Sequence, residues 1–317
     1  MTKSLALGSL MALTSSIVFA QTPGGPGPGV LATRTGNDLN ISVQHYNYVE
    51  PPDVDISIHG PKLGGEYTGT FSLGQQRRWF ARVNLRGTGG AASYDGFCRP
   101  WQIVPSSTST NGYRLTLGSE SPCSETGDAD WYLEGRVLTG KDFIGHSWAI
   151  SPFAGIGVRH LSNGTTGNFD FRTDEYLYVP IGATVRTTTA ANRMLSVTVE
   201  YDHLLRGWQK TRNSLLGGGT VPATSTTPAF SIGDFTDLSF DQHAGWALRG
   251  SAAYQLNRSW SIEPYYVGWR VSSSPVSTGS VAYAVNAVTA RQTLNAYEPL
   301  NFTHEFGVKI GLHFGGR

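Results

Sequence analysis

The chain is poor in charged residues and has only two cysteines. Asp, Glu, Lys and Arg make up 15% of its 317 residues, and their charges nearly cancel, to a formal net charge of +1 at pH 7. Nucleic-acid binding without sequence preference needs a surplus of Lys and Arg to neutralise phosphates, so no nucleic-acid partner is expected. The three Met residues and the lack of stretches rich in Leu, Glu or Lys argue against a helical bundle.

What the chain has instead is 39 Gly and a hydrophobic content of 39%, too high for a disordered chain. Its apolar residues recur with a period of two, the signature of β-strands with two different faces. This alternation predicts an all-β fold with ten strands, at residues 39–43, 67–73, 79–85, 131–137, 150–158, 177–185, 195–201, 246–256, 260–266 and 302–314.

Residues 1–20 have the pattern of an export signal, in which one Lys precedes an apolar stretch and small residues suit a cleavage site. A transmembrane helix needs about 20 apolar residues in a row, and polar residues interrupt this stretch. We expect a signal peptide over 1–20, a flexible Gly/Pro-rich leader over 21–37 and a β-domain over 38–317. No later segment suits a membrane helix, so a mature chain that crosses a membrane does so with strands.

The predicted strands are joined by connections that alternate in length. Short links fall near 74–76, 140–147, 187–193 and 257–259, and long ones near 51–65, 87–129, 162–173, 207–238 and 272–300. An even strand number, short periplasmic turns and longer external loops occur together in barrels of the bacterial outer membrane. We therefore predict a closed antiparallel barrel of about ten strands in that membrane, with both termini periplasmic.

Charged residues occupy one parity of these strands. A Lys or Arg that faces lipid at mid-depth costs about 2–4 kcal/mol, so the charged parity must face the lumen. Long side chains reach across a barrel of this size, so these charges either fill the lumen as salt bridges or line a narrow polar path. The predicted lumen network consists of Arg82, Glu134, Arg136, Glu200, Arg249, Glu263, Glu305 and Lys309, and further charges of the same parity include Glu66, Arg86, Arg159 and Arg206.

The C-terminal sequence EFGVKIGLHFGGR is similar to the last strand of outer-membrane barrel proteins. Such strands have a polar residue, a Gly two positions later, alternating apolar residues and an aromatic close, here Glu305, Gly307, Ile310, Leu312 and Phe314. The chain departs from this pattern because three residues follow the aromatic one. The resemblance covers nearly the whole mature chain as a pattern, and it implies outer-membrane lipid and the barrel-insertion machinery as partners.

Cys98 and Cys123 both lie in the longest predicted connection. An exported chain meets an oxidising compartment, so we expect a disulfide that closes this loop. A zinc site needs further ligands, and between the two cysteines stand no His and only one carboxylate, Glu120. We therefore predict no metal site and no cofactor.

One short motif suggests an enzyme. His160, Leu161, Ser162 and Asn163 resemble the His-x-Ser-Asn motif of the outer-membrane lipid A deacylases, and Glu175 follows on the next predicted strand. The resemblance implies an ester hydrolase in which Ser162, His160 and Glu175 act together near the outer leaflet, because a serine nucleophile needs a base and the base an orienting acid. A motif of four residues is short enough to occur by chance, so no catalytic residue is favoured.

The expected function is non-enzymatic. The pattern suits a narrow porin-like channel for a small polar solute or ion, or a structural surface protein whose lumen is filled with salt bridges. The alternatives are the deacylase-like esterase and an adhesin or receptor that binds partners through its external loops. An exported soluble β-sandwich is the alternative architecture, and the oligomeric state stays open.

Overall fold

The computed structural model describes residues 31–50, 56–73, 78–165, 168–189 and 193–315, so the predicted signal peptide and residues 21–30 of the leader lie outside the described residues. In this part of the chain no helix is long and apolar enough to cross a membrane. The strands, in chain order, are β1 (Gly36–Val49), β2 (Ser57–Leu73), β3 (Trp79–Cys98), β4 (Trp101–Pro105), β5 (Tyr113–Leu117), β6 (Ser121–Lys141), β7 (Phe143–Ile144), β8 (Trp148–Thr165), β9 (Asn168–Thr188), β10 (Met194–Thr211), β11 (Thr220–Val221), β12 (Phe230–Phe235), β13 (Leu238–Gln242), β14 (Gly245–Gln255), β15 (Trp260–Val271), β16 (Ser277–Val285), β17 (Val288–Ala296) and β18 (Asn301–Phe314). A 3₁₀ helix spans Asn213–Leu216.

Ten of these strands form a closed ring of antiparallel neighbours. The order around the ring is β1, β2, β3, β6, β8, β9, β10, β14, β15 and β18. The last strand pairs with the first, from Asn37 opposite Phe314 to Val49 opposite Phe302, so the ring has no open edge. The ten predicted strands are confirmed, and the closure excludes a two-sheet sandwich.

The wall of the barrel is inverted relative to a soluble protein. On β1, Leu39, Ile41 and Val43 are 50%, 66% and 63% exposed, whereas Ser42 and Gln44 on the opposite face are buried. The same alternation places exposed apolar side chains around the ring at Leu63, Leu85, Leu133, Val137, Ile156, Val158, Ile181, Val199, Leu248, Phe306, Val308 and Ile310. An apolar outside with a polar inside is the arrangement of a barrel whose wall faces lipid.

The strands continue well beyond this apolar band on the external side. β3 and β6 stay paired as far as Cys98 opposite Ser121, and β8 and β9 as far as Thr165 opposite Asn168. The predicted long connection over 162–173 is therefore wrong, since residues 162–165 and 168–173 belong to paired strands. Outside the membrane both faces of a strand meet water, so the alternation that reveals strands in the sequence is lost there.

Six further strands on the external side form what we call the external cap, while β13 extends the barrel wall by pairing with β10. The cap consists of a four-stranded sheet, in the order β11, β12, β16 and β17, and the β4–β5 hairpin. These elements come from three of the predicted loops, yet they share one hydrophobic core, which contains Ile103, Leu115, Phe230, Ile232, Phe235, Val281, Tyr283, Val285 and Ala290. Three connections of the barrel thus fold together.

Candidate functional site in the barrel lumen

Glu305 on β18 is the centre of an upper layer of side chains that crosses the lumen. It is 1% exposed and accepts hydrogen bonds from the Tyr132 hydroxyl on β6, at 3.0 Å to Oε1 and 2.8 Å to Oε2. Arg86 on β3 forms an ion pair with the same carboxylate and donates to the Tyr265 hydroxyl at 2.7 Å. At least three strands separate β6 from β18 in either direction around the ring, so the layer spans the interior.

Arg249 on β14 is the centre of a second layer. Its guanidinium donates to Glu134 on β6 at 2.9 Å (Nη1 to Oε2) and 2.5 Å (Nη2 to Oε1), and its Nε donates to Asp202 Oδ2 at 2.6 Å. The Tyr178 hydroxyl donates to Glu134 Oε1 at 2.7 Å. Asp202 and Tyr178 are fully buried, so this layer excludes solvent.

Closer to the periplasm the charges are paired around a small cavity. Arg136 Nη1 donates to Glu200 Oε1 at 2.7 Å, and Lys309 Nζ lies 2.9 Å from Glu66 Oε2 and 3.4 Å from Glu263 Oε1. These five side chains help to line a cavity of about 110 Å³. Its lining is polar, with four cations and three carboxylates, which suits water molecules.

Arg82 differs from the rest of the predicted lumen network. Its Nε donates to Thr70 Oγ1 at 3.4 Å, and its guanidinium lies 5.6 Å from the ring centroid of Phe80. Within the described residues no ion pair of Arg82 with a carboxylate is found, whereas the structure brings the other seven predicted network residues into ion pairs.

Sequence reasoning missed a buried ion pair in the upper layer, Lys62 with Asp130. Lys62 Nζ also lies 3.3 Å from the ring centroid of Tyr46. Both charged residues fell just outside the predicted strands. The signal was present, because extending the period-two pattern back from the strand at 67–73 puts Lys62 on the same parity as Glu66.

Another missed cluster lies at the external end of the lumen. Arg172 lies 3.5 Å from Glu298 and 4.0 Å from Glu50, and the Tyr48 hydroxyl donates to these two carboxylates at 3.2 Å and 2.9 Å. Burial raises the pKa of Glu50, Arg172 opposes the shift, and the nearby Glu298 adds to it. The Glu298 backbone N–H donates to Ser274 Oγ at 2.9 Å. This hydrogen bond joins the segment that leads into β18 to the segment that follows β15.

The described end of the predicted leader lies across the periplasmic mouth, and we call residues 31–35 the N-terminal strap. Thr33 donates to Asp142 from its backbone N–H, at 2.7 Å, and from its hydroxyl, at 2.6 Å. Asp142 follows β6, and two strands, β2 and β3, separate β6 from β1 in the ring. Asp142 also accepts a hydrogen bond from Ser151. Leu31 is buried, and β1 already begins at Gly36, two residues before the expected start of the barrel.

One of the expected lumen charges faces the other way. Arg206 is exposed and lies 3.2 Å from Asp241 and 4.9 Å from the ring centroid of Trp208. The register of β10 shifts between Leu204 and Arg206. This one-residue irregularity reverses the parity of all that follows, which the residue pattern does not reveal.

The deacylase-like residues come together only in part. His160 Nδ1 lies 3.4 Å from Glu175 Oε1, and the His160 ring packs 5.2 Å from the ring of Trp131. Ser162, however, is 0% exposed and lies opposite Thr173 in the β8–β9 ladder. An acyl ester has no access to this serine in the observed arrangement.

The predicted disulfide between Cys98 and Cys123 is confirmed, with a Cα–Cα distance of 5.7 Å. It closes the base of the β4–β5 hairpin of the external cap. In the described ranges no group of three His, Cys, Asp or Glu residues is arranged to hold a metal ion.

Comparisons with known proteins concern the fold alone. No protein-family model matches the chain, and no curated protein matches its sequence. Similar solved structures include the outer-membrane protease OmpT of Escherichia coli, with 10% identity, a TM-score of 0.45 and coverage of 91% of this chain and 100% of that one. The translocator domain of NalP of Neisseria meningitidis has 10% identity, a TM-score of 0.35 and coverage of 90% and 91%. An outer-membrane channel of Pseudomonas putida F1 has 10% identity, a TM-score of 0.34 and coverage of 92% and 100%.

These TM-scores are too low to carry any conclusion on function. The fold rests on the chain's own strand pairing, with its closed ring of ten strands, its apolar outer wall and its ionic interior. This architecture is that of a bacterial outer-membrane β-barrel.

Proposed function

We propose that this protein is a structural surface protein, in which a sealed outer-membrane barrel carries the folded external cap. The observation that supports this most is the pair of side-chain layers that cross the lumen, centred on Glu305 and Arg249. Their members bond to strands on distant parts of the ring.

The burial of the side chains in the two layers supports a sealed lumen. Tyr132, Tyr178 and Asp202 are at most 1% exposed. A conducting pore needs a continuous wet path lined by polar groups, whereas charged side chains that line the cavity of about 110 Å³ are joined to one another in ion pairs. Buried polar networks whose members are nearly all paired make a core rigid. Removal of any one member leaves a buried charge without its partner, which is costly.

The external cap supports a second candidate role, that of an adhesin or receptor. Loops on a rigid scaffold commonly carry binding sites. Here three connections share a core that includes Phe235 and Val281, and a disulfide holds one of them. Such a cap presents a defined surface to the medium.

A solute-permeability assay tests the sealed barrel. Liposomes that contain the refolded full-length protein are transferred to an isosmotic solution of a small sugar, and swelling is followed by light scattering. We expect the rate of protein-free liposomes. Swelling that increases with the amount of folded protein would identify a channel and contradict the proposal.

The esterase alternative is tested separately. Because Ser162 is fully buried, we expect lipid A from cells that express the wild type, the Ser162→Ala variant or no protein to show the same acylation by mass spectrometry. Loss of an acyl chain only in cells with the wild type would establish the deacylase instead.

A further inference from the structure

We propose that the external end of the outer wall formed by β15, β18 and β1 binds the phosphate groups of lipids in the outer leaflet. The site consists of Arg270, His304 and His45, which we call the cationic row after its arginine. It lies on the membrane side of the wall and makes no use of the lumen or of the external cap.

The three residues lie on adjacent strands along a diagonal. Arg270 is opposite Phe302 in the β15–β18 ladder, one step along the same face from His304. His304 is opposite Asn47 in the β18–β1 ladder, again one step from His45. Diagonal neighbours on one face of a sheet are about 7–8 Å apart, so one phosphate group reaches two of these side chains.

The position of the row along the wall matches the level of lipid headgroups. Directly below it the outer face is apolar, with Val43, Val308 and Ile310 exposed. An arginine is costly in the middle of a bilayer and inexpensive near its surface. Among the described residues of β14, β15, β18, β1 and β2, Arg270 is the only Lys or Arg of the outward parity, so it marks the upper edge of the lipid-facing band.

Arg270 gives this face a positive charge without a compensating carboxylate. In the same five strands, as far as the structure describes them, no Asp or Glu has the outward parity. The carboxylates of these strands, such as Glu263 and Glu305, belong to the lumen network. A phosphate group brings the negative charge that the row lacks, and Arg recognises phosphate through two parallel N–H donors.

Aromatic rings hold the members of the row in place. The ring distances are 5.9 Å from Arg270 to Phe302, 5.4 Å from His45 to Phe306 and 6.1 Å from His304 to Tyr266. The Tyr266 hydroxyl is also hydrogen-bonded to His304 Nδ1 at 2.7 Å. Side chains that are already ordered lose less entropy when a ligand binds.

A histidine elsewhere on the wall provides a matched control. His160 on β8 also lies at the external end and packs on an aromatic ring, that of Trp131. It faces the carboxylate of Glu175 at 3.4 Å, which supplies its negative partner. A phosphate therefore has less to gain at His160 than at the cationic row.

Native mass spectrometry of the refolded protein in detergent tests the proposal. The probes are a phosphorylated lipid A and the same lipid after removal of its phosphates. For the wild type we expect the phosphorylated lipid to bind about tenfold more tightly. The triple variant Arg270→Gln, His304→Gln and His45→Gln should lose this preference, and His160→Gln should keep it.

The fold of each variant is checked by the difference in gel migration between unheated and boiled samples. If the triple variant fails this check, the single variant Arg270→Gln is measured, with a partial loss of preference expected. A folded variant of the row with the wild-type preference would overturn the proposal, as would a wild type without preference. Displacement of the lipid by millimolar inorganic phosphate would also overturn it, because a lipid site is held by the acyl chains as well.

Discussion

Arg249 on β14 and Glu134 on β6 are joined across the lumen by two hydrogen bonds, of 2.9 Å and 2.5 Å. At least three strands separate β14 from β6 in either direction around the ring. The pair therefore links distant parts of the wall through the interior. Both side chains are nearly buried, with exposed fractions of 10% and 1%, so neither finds a replacement partner in water.

Substitution Arg249→Ala should strongly destabilise the barrel. It leaves Glu134 and Asp202 as buried carboxylates without their cation, and loss of one partner of a buried pair costs about 3–5 kcal/mol. The free energy of unfolding is measured by urea titration in detergent, with tryptophan fluorescence as the signal. Arg99→Ala is the control, because the Arg99–Glu120 pair is about half exposed and exposed pairs contribute about 0–1 kcal/mol. Equal losses in both variants would contradict a sealed network.

The core of the external cap should be independent of the barrel. Phe235 is 8% exposed, and Phe235→Ala is expected to cost the cap about 3–5 kcal/mol. Limited proteolysis should then cut the cap while the unheated sample still migrates as a folded barrel. Val288→Ala, at a residue that is 48% exposed, should leave proteolysis unchanged. A resistant Phe235→Ala cap would show that the shared core does not hold it together.

The N-terminal strap should be held in the periplasmic mouth by Asp142. A cysteine introduced as Leu31→Cys is expected to react slowly with a water-soluble maleimide, because Leu31 is buried. Adding Asp142→Ala removes both hydrogen bonds of Thr33 and should speed the reaction. Asn257→Cys, on an exposed periplasmic turn, should react rapidly with or without Asp142→Ala. Equal rates for Leu31→Cys in both backgrounds would argue against the strap.

Glu50 makes stability depend on pH. Burial raises its pKa in the folded protein, so the folded state binds the proton more tightly than the unfolded state. The contribution of Glu50 to the free energy of unfolding is greatest below its pKa in the unfolded chain. It is lost as pH rises through its pKa in the folded protein. Glu50→Gln should therefore gain stability relative to the wild type as pH increases from 4 to 8. Urea titrations across this range check it, and a constant difference would contradict the assignment.

The transmembrane part of the fold was predictable because lipid imposes a strict alternation. Val43 and Phe306 must face out and Lys309 must face in, so every strand within the membrane shows a period of two. The strand parity also put Glu134 and Arg249 on the lumen side, although it did not reveal which partner each one meets. Those contacts depend on which strands lie opposite one another in the closed ring.

Features beyond the membrane were not predictable in the same way. Ile103 and Leu115 belong to five-residue strands in a segment rich in Ser, Thr and Gly. They lie opposite each other in the β4–β5 hairpin, but the rest of their hydrophobic core comes from distant loops. The exposed position of Arg206 depends on a backbone irregularity after Leu204. Lys62, by contrast, was predictable from the period-two pattern and was missed because the predicted strand began only at residue 67.

Conductance across a planar bilayer tests the sealed lumen most directly. After insertion of the folded full-length protein has been verified by its gel migration and its resistance to protease, the wild type is expected to show no discrete conductance steps. The double variant Arg249→Ala and Glu305→Ala, which removes the centre of both layers, should show steps. Regular single-channel steps from the wild type would contradict the account.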